Sequence, residues 1–129
     1  MSTHFELCSE FMRAFGQEVY SHPSIRDNET QELRYELIRE EVEELREGLD
    51  KADLVEVADA LTDILYVVYG AGHAFGIDLD ACFHEVHRSN MSKLAEDGTV
   101  IKRADGKVLK GPNYSPPNLV PIILEPRKW

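Results

Sequence analysis

The chain has 129 residues and a formal net charge of −10 at pH 7, because 24 acidic residues outweigh 14 basic ones. Its length suits one domain with its own core, and the 43% of hydrophobic and 29% of charged residues exclude a wholly disordered chain. The acidic balance excludes nucleic acid as an expected partner, and a polyphosphate ligand would need bound cations or a local basic patch.

Apolar periodicity predicts four helices in the first three quarters of the chain. Thr30 is a candidate N-cap of the second helix and Asp53 of the third, which Gly76 ends. The fourth helix begins at Asp78 or Asp80. The predicted bounds in chain order are residues 4–20, 30–49, 54–75 and, from either aspartate, to about residue 95.

The last quarter of the chain has a different character. Two Asp-Gly dipeptides and several prolines, Pro121 among them, predict turns and exclude regular helix there. The fold class that follows is all-α, with four to five helices in a body over about residues 4–95. An irregular C-terminal arm over residues 96–129 completes a single domain that spans residues 1–129.

The sequence also bears on membranes and on compartment. The most apolar stretch, residues 58–77, contains Asp59, Asp63 and His73 and is therefore not a clean membrane span. No basic and apolar leader pattern opens the sequence, and the two cysteines form no metal-binding motif. We therefore expect a cytoplasmic protein with reduced thiols and no membrane partner.

Two glutamates of the second helix occupy unexpected positions. At about 100° per residue, Glu41 projects between Leu37 and Leu45, and Glu44 also lies on this leucine-rich side. One interpretation places both carboxylates at the margin of the apolar arc, where they reach water or pair with Arg34. The other places them against a neighbouring helix.

The third helix is apolar almost all round, which is typical of a buried helix. Its acidic residues, Glu56, Asp59 and Asp63, fall within a stripe roughly 60° wide. This stripe either faces solvent or faces the second helix and its two glutamates. So long an apolar helix would be poorly covered in a chain of this size, which predicts a homodimer or homotetramer.

Convergence of four or five carboxylates would have a clear electrostatic consequence. Burial and like-charge repulsion would raise their pKa values unless a cation compensated them. Oxygen ligands without His or Cys favour Mg²⁺, with Mn²⁺ as the alternative, over zinc. Such a cation would also let an acidic protein hold a polyphosphate.

The acidic residues form recognisable motifs. Residues 40–44 fit the pattern EExxE, and residues 56–59 fit ExxD. With the segments at residues 63–70, 75–78, 85–93 and 103–110, they resemble the MazG-like superfamily of all-α nucleoside triphosphate pyrophosphatases. The resemblance covers most of residues 33–112 and is closest to the bacterial branch with dUTPase-type activity. The same superfamily includes phosphoribosyl-ATP pyrophosphohydrolase.

The resemblance implies a Mg²⁺-dependent enzyme that cleaves between the α and β phosphates of a nucleoside triphosphate, dUTP being one candidate. The products would be the monophosphate and pyrophosphate, as in removal of unwanted nucleotides. The implied metal ligands are Glu41, Glu44, Asp59 and Asp63. A first-motif carboxylate, Glu40 or Glu41, would orient or deprotonate the attacking water.

One position departs from the family pattern. Close relatives have a glutamate three residues before the aspartate that corresponds to Asp63, and this chain has Ala60 there. We therefore predict that Asp59 replaces the missing glutamate, with Glu56 as the next choice. Because aspartate is one methylene shorter, metal affinity or substrate choice would differ.

Polar and basic residues further along the chain are candidates for substrate binding. Phe83 and Asn90 lie on the predicted inner side of the fourth helix. Lys93 lies near the end of this helix, and Arg103, Lys107 and Lys110 concentrate positive charge in the arm. Such cations suit phosphate oxygens. The alternatives are a helix-packing amide for Asn90 and simple solubility for the basic residues.

Two other functions remain open at this point. One is the phosphoribosyl-ATP pyrophosphohydrolase step of histidine biosynthesis, which uses the same reaction type. The other is a non-catalytic helical module that binds a metal or a nucleotide.

Overall fold

The structure is a computed structural model that describes residues 1–124. Within this range the chain has five helices and no β-strand, which confirms the predicted all-α class. It divides into two compact units, residues 1–79 and residues 80–124. The helices are α1 (His4–Ala14), α2 (Asn28–Asp50), α3 (Leu54–Phe75), α4 (Leu79–Met91) and α5 (Val120–Leu124).

Helix α1 begins in a capping box and ends earlier than predicted. The Thr3 side chain accepts a hydrogen bond from the Glu6 amide, and the Glu6 side chain accepts one from the Thr3 amide. The helix ends at Ala14 rather than residue 20, because Gly16 adopts a left-handed φ of 73°. Phe5 is buried on the inner face of α1 and stacks on His73 of α3 at 3.8 Å.

Helices α2 and α3 form an antiparallel hairpin joined by residues 51–53. Asp27 caps α2 by accepting from the Thr30 amide at 2.8 Å, so the prediction of Thr30 as the N-cap is wrong. Asp53 caps α3, and Gly76 ends it at a φ of 68°, as predicted. A Cβ at Gly76 would lie 2.2 Å from a backbone oxygen, so this left-handed position requires glycine.

Helix α3 is less covered than its composition predicts. Within residues 1–124, only α2 and α1 contribute extensive packing against it. Leu54, Val55 and Leu65 are 80%, 79% and 51% exposed, while the small residues Ala60 and Gly70 are buried. The expected burial is therefore incomplete in one copy, and the homodimer or homotetramer stays a prediction.

In the second unit, helix α4 ends at Met91 rather than near residue 95. Its buried residues, Cys82 and Ser89, lie seven positions apart on one face. The prediction of Phe83 and Asn90 on the inner side is wrong, because both are exposed. The face that packs is the one with small side chains.

The described part of the arm lies along α4 and contains the short helix α5. The Ser115 amide donates to the Ser92 hydroxyl at 2.8 Å, and an antiparallel bridge joins Lys102 and Val108 around a turn, as expected for a short hairpin. The prediction that Pro121 excludes helix is wrong. Pro121 lies in the first turn of α5, where its missing N–H costs no helical hydrogen bond.

None of the helices within residues 1–124 has both the length and the apolar character that a bilayer span requires. Residues 125–129 of the predicted arm lie outside the described part of the chain.

Candidate metal centre

The site is built by the register of the α2–α3 hairpin. Near the turn, a Cβ at Gly48 would lie 3.2 to 3.3 Å from the backbone and Cβ atoms of Glu56 and its neighbour. Glu41 lies seven residues before Gly48 on α2, and Asp63 lies seven residues after Glu56 on α3. The carboxylates of Glu41 and Asp63 are therefore close together. Two helical turns bring the same faces of both helices together again, so the acidic residues share one interface.

Three carboxylates converge in the middle of this interface. Glu41, Glu44 and Asp63 each place one oxygen so that the three atoms lie within 4.8 Å of one another. Glu41 and Asp63 are partly buried and Glu44 is exposed. The structure thus places the acidic stripe of α3 against α2, and only part of the cluster is in contact with solvent.

Burial and mutual repulsion perturb this cluster. Desolvation raises the pKa of Glu41 to about 7, together with a hydrogen bond to Glu44 and the charges of Glu44, Asp63 and Asp59. Desolvation also raises the pKa of Asp63, followed by the charges of Asp59 and Glu44. Oε2 of Glu41 is buried and has no hydrogen-bond partner within the described residues.

These observations fit a divalent cation. A buried carboxylate oxygen without a donor, surrounded by like charges, is a costly arrangement for the protein alone. Three oxygen ligands without His or Cys are the donor set that hard cations such as Mg²⁺ prefer. Glu41, Glu44 and Asp63 are therefore the residues that would hold the ion.

Asp59 and Glu56 lie closer to the hairpin turn. Asp59 is outside the three-oxygen cluster, although its charge contributes to the raised pKa of Glu41 and Asp63. The carboxylate of Glu56 lies 3.7 Å from the Lys51 ammonium. A pocket opens beside the cluster and is lined by Glu44, Glu47, Lys51, Glu56, Asp59 and Ala60.

The structure decides between the two interpretations of the glutamates on α2. Within residues 1–124, Arg34 forms no ion pair with either Glu41 or Glu44. The interpretation in which Arg34 neutralises them is therefore wrong. Sequence reasoning also missed Glu47 and Lys51 as pocket residues, although both follow Glu44 at helical spacing along α2.

The predicted substrate-binding residues all belong to the second unit. Asn90 is exposed and Lys93 is half-buried. Arg103 donates to Asp105 at 2.9 Å, and the Lys110 ammonium lies 4.7 Å above the ring of Tyr114. Lys107 is exposed. The role of these residues in substrate binding stays a prediction, as does that of exposed Glu40 as a catalytic base.

A protein of Acanthamoeba polyphaga mimivirus, named Uncharacterized protein L479, is 45% identical to this chain over 101 residues. The match covers 75% of this chain and 38% of that protein, so the chain spans well under half the length of this relative.

The family comparison includes every predicted metal ligand. The model of the phosphoribosyl-ATP pyrophosphohydrolase family matches residues 8–90, which is more than half of the chain. This range contains α2, α3 and the acidic cluster. The chain therefore belongs to the phosphoribosyl-ATP pyrophosphohydrolase family.

Proposed function

We propose that this chain is a nucleoside triphosphate pyrophosphohydrolase that depends on a divalent metal, Mg²⁺ in the first place and Mn²⁺ as the alternative. The reaction adds water across the bond between the α and β phosphates and releases a nucleoside monophosphate and pyrophosphate. The observation that carries the proposal is the three-carboxylate cluster, with its partnerless buried oxygen, inside the region that matches a pyrophosphohydrolase family.

The proposal gives each acidic residue a role. Glu41, Glu44 and Asp63 hold the metal, and Asp59, one turn before Asp63, adds a further carboxylate. When bound, such an ion neutralises phosphate charge and lowers the pKa of water. Glu40 is exposed and adjacent in sequence to Glu41, and we propose that it accepts the proton of the attacking water.

The nature of the nucleotide is a finer part of the proposal. We propose dUTP as the first substrate to test, because the sequence motifs resemble the dUTPase-type branch. Substrate choice does not alter the acidic cluster's role, since every nucleoside triphosphate presents the same phosphoanhydride bond.

A second candidate substrate is phosphoribosyl-ATP. The observation that favours it is the description of the matching family, phosphoribosyl-ATP pyrophosphohydrolase. This substrate also carries a triphosphate that is cleaved to release pyrophosphate. The two candidates therefore share the metal centre and differ in the groups that recognise the nucleoside.

The test is pyrophosphate release from the four common nucleoside triphosphates, their deoxy forms, dUTP and phosphoribosyl-ATP. Each is assayed with Mg²⁺, with Mn²⁺ and with a chelator. We expect release from at least one nucleoside triphosphate, no release with the chelator and none from Glu44→Gln. Release from phosphoribosyl-ATP alone would favour the second candidate, and no release from any substrate would contradict both.

We also propose that the active protein is a homodimer or homotetramer. The support is the exposure of large apolar side chains on α3, with Leu54 and Val55 at 80% and 79%. Light scattering at micromolar concentration tests this, and a stable monomer would contradict it.

A further inference from the structure

Arg34 occupies an unusual position on α2. A methyl group at Gly70 of α3 would lie 2.9 Å from Nη1 of Arg34, so the guanidinium lies directly over this glycine. The side chain is half-buried, and its Nε is fully buried without a hydrogen-bond partner within the described residues. Desolvation alone lowers the pKa of Arg34, with no carboxylate acting to raise it.

The other basic side chains of the first unit are satisfied. Arg13 donates to Ser9, and Arg26 donates to backbone oxygens of residues 22 and 74. The ion pairs of the remaining ones are Arg39 with Glu36 and Glu43, Arg46 with Asp50, and Lys51 with Glu56. Among the arginine and lysine side chains of residues 1–79, only Arg34 lacks both a hydrogen bond and an ion pair.

The hairpin register relates Arg34 to the acidic cluster. Arg34 precedes Glu41 by seven residues on α2, and Gly70 follows Asp63 by seven on α3. Arg34 therefore lies on the face of α2, and Gly70 on the face of α3, that carries the cluster. Each residue is about 10 Å from the cluster along its own helix axis. The α2–α3 interface thus contains the acidic cluster and, two helical turns away, the positively charged guanidinium of Arg34.

Resting on the proposed function, we propose that Arg34 binds the β and γ phosphates of the substrate, the part that leaves as pyrophosphate. A guanidinium cannot lose its proton at neutral pH, so a half-buried one is stabilised by an anion that binds it. Its planar fork matches phosphate oxygens in a bidentate geometry. Gly70 is then a positioning residue, because only the absence of a side chain lets the guanidinium lie over the helix.

A phosphate is favoured over a carboxylate from a second copy of the chain. The guanidinium shares its helix faces with the cluster proposed to hold the metal, and a triphosphate is long enough to engage both. A net charge of −10 also makes a positive group within this interface valuable for attracting a polyanion.

The experiment is calorimetric titration of inorganic pyrophosphate, with Mg²⁺ present, into the full-length protein and its variants. We expect Arg34→Met to weaken binding by about tenfold or more, since a charge-assisted hydrogen bond is lost. Arg34→Lys recovers part of the affinity. Arg46→Met is the matched control, because Arg46 is an exposed arginine of the same helix that pairs with Asp50, and it should bind as wild type does.

Gly70→Ala is the second variant and keeps every charge. Alanine suits a helix, but its methyl group displaces the guanidinium, so pyrophosphate binding weakens by less than in Arg34→Met. Circular dichroism confirms folding of both variants. In the turnover assay, Arg34→Met should raise KM for the triphosphate while Arg46→Met leaves it unchanged.

Several outcomes would overturn the assignment. Unchanged pyrophosphate affinity in folded Arg34→Met would do so, as would absence of binding by the wild type. Loss of affinity together with dissociation of a wild-type oligomer, seen by sedimentation, would show that Arg34 serves a subunit contact instead. Because pyrophosphate binding needs no turnover, these outcomes are separate from failure of the proposed function.

Discussion

The glutamates Glu41 and Glu85 show how differently this chain treats two carboxylates on helices. Glu85 of α4 accepts hydrogen bonds from Arg88 at 2.7 Å and from the Asn118 amide at 2.6 Å, and these donors lower its pKa to about 2. Desolvation of Glu41 on α2, followed by the effect of the neighbouring carboxylates, raises its pKa to about 7. The first carboxylate has donors from its own chain, and the second has a buried oxygen without one.

The difference separates a carboxylate whose charge is satisfied within the chain from one whose charge is not. Glu85 holds the arm against α4 within the second unit, and its charge is stabilised at the site. The charge of Glu41 is destabilised until something from outside the chain compensates it. A helix position alone does not distinguish these roles, whereas the donors around each oxygen do.

The largest expected effect is on turnover. Glu44→Gln and Glu41→Gln keep side-chain shape but remove one negative charge from the cluster. We expect Mg²⁺ binding and pyrophosphate release to fall by orders of magnitude, while the metal-free fold is retained as repulsion is relieved. Glu43→Gln, an exposed neighbour paired with Arg39, is the control. Wild-type turnover in both cluster variants would show that the metal centre lies elsewhere.

A second prediction asks which acidic residues of α3 belong with Glu41. We expect Asp63→Asn and Asp59→Asn to abolish hydrolysis, because Asp63 lies in the cluster and Asp59 acts on it electrostatically. Glu56→Gln should only weaken turnover, since Glu56 pairs with Lys51 near the turn. Steady-state kinetics with each variant provide the measurement. An inactive Glu56→Gln beside an active Asp63→Asn would favour the simple ExxD register instead.

The third prediction concerns how the stability of the metal-free protein depends on pH. A carboxyl whose folded pKa is raised stabilises the fold below its unfolded pKa, and this stabilisation is lost as pH rises through the folded value. For Glu41 the loss falls between about pH 4.5 and pH 7. With a chelator present, Tm should therefore decrease over this range by calorimetry, and less so in Glu41→Gln. Equal pH slopes in the two proteins would contradict the raised pKa.

The smallest expected effect is on stability, from replacement of Glu85. The folded pKa of Glu85 is lowered, so its contribution to stability is present above the unfolded pKa and is lost as pH falls towards 2. Glu85→Gln should speed hydrogen exchange at the Asn118 amide while changing Tm little, because exposed ion pairs contribute little. Unaltered exchange at Asn118 would show that Glu85 does not hold the arm.

Much of the fold follows from local signals in the sequence. Asp53 and Gly76 bound α3 as predicted, because a cap and a left-handed glycine act within one turn. The predicted start of α2 is wrong, because Asp27, three residues before Thr30, is itself a good N-cap. The exposure of Phe83 was also missed, since the face of α4 that packs depends on tertiary contacts of the arm rather than on periodicity.

The candidate site was predictable to the extent that it depends on helix spacing. Glu41, Glu44 and Asp63 stand out because charged residues fall on apolar faces, and the hairpin brings those faces together. The position of the Arg34 guanidinium is not predictable in this way. Whether it reaches a glutamate depends on the register of two helices, and this register places Gly70 opposite Arg34.

The three-residue turn at residues 51–53 has a consequence for the order of folding events. Glu41 and Asp63 are separated by only 22 positions, so the cluster forms as soon as this single hairpin closes. Closure of so short a segment is fast and precedes contacts between distant parts of a chain. At neutral pH the carboxylates therefore meet early and their repulsion opposes closure of the hairpin, so a divalent cation that bound them would speed folding as well as hold substrate.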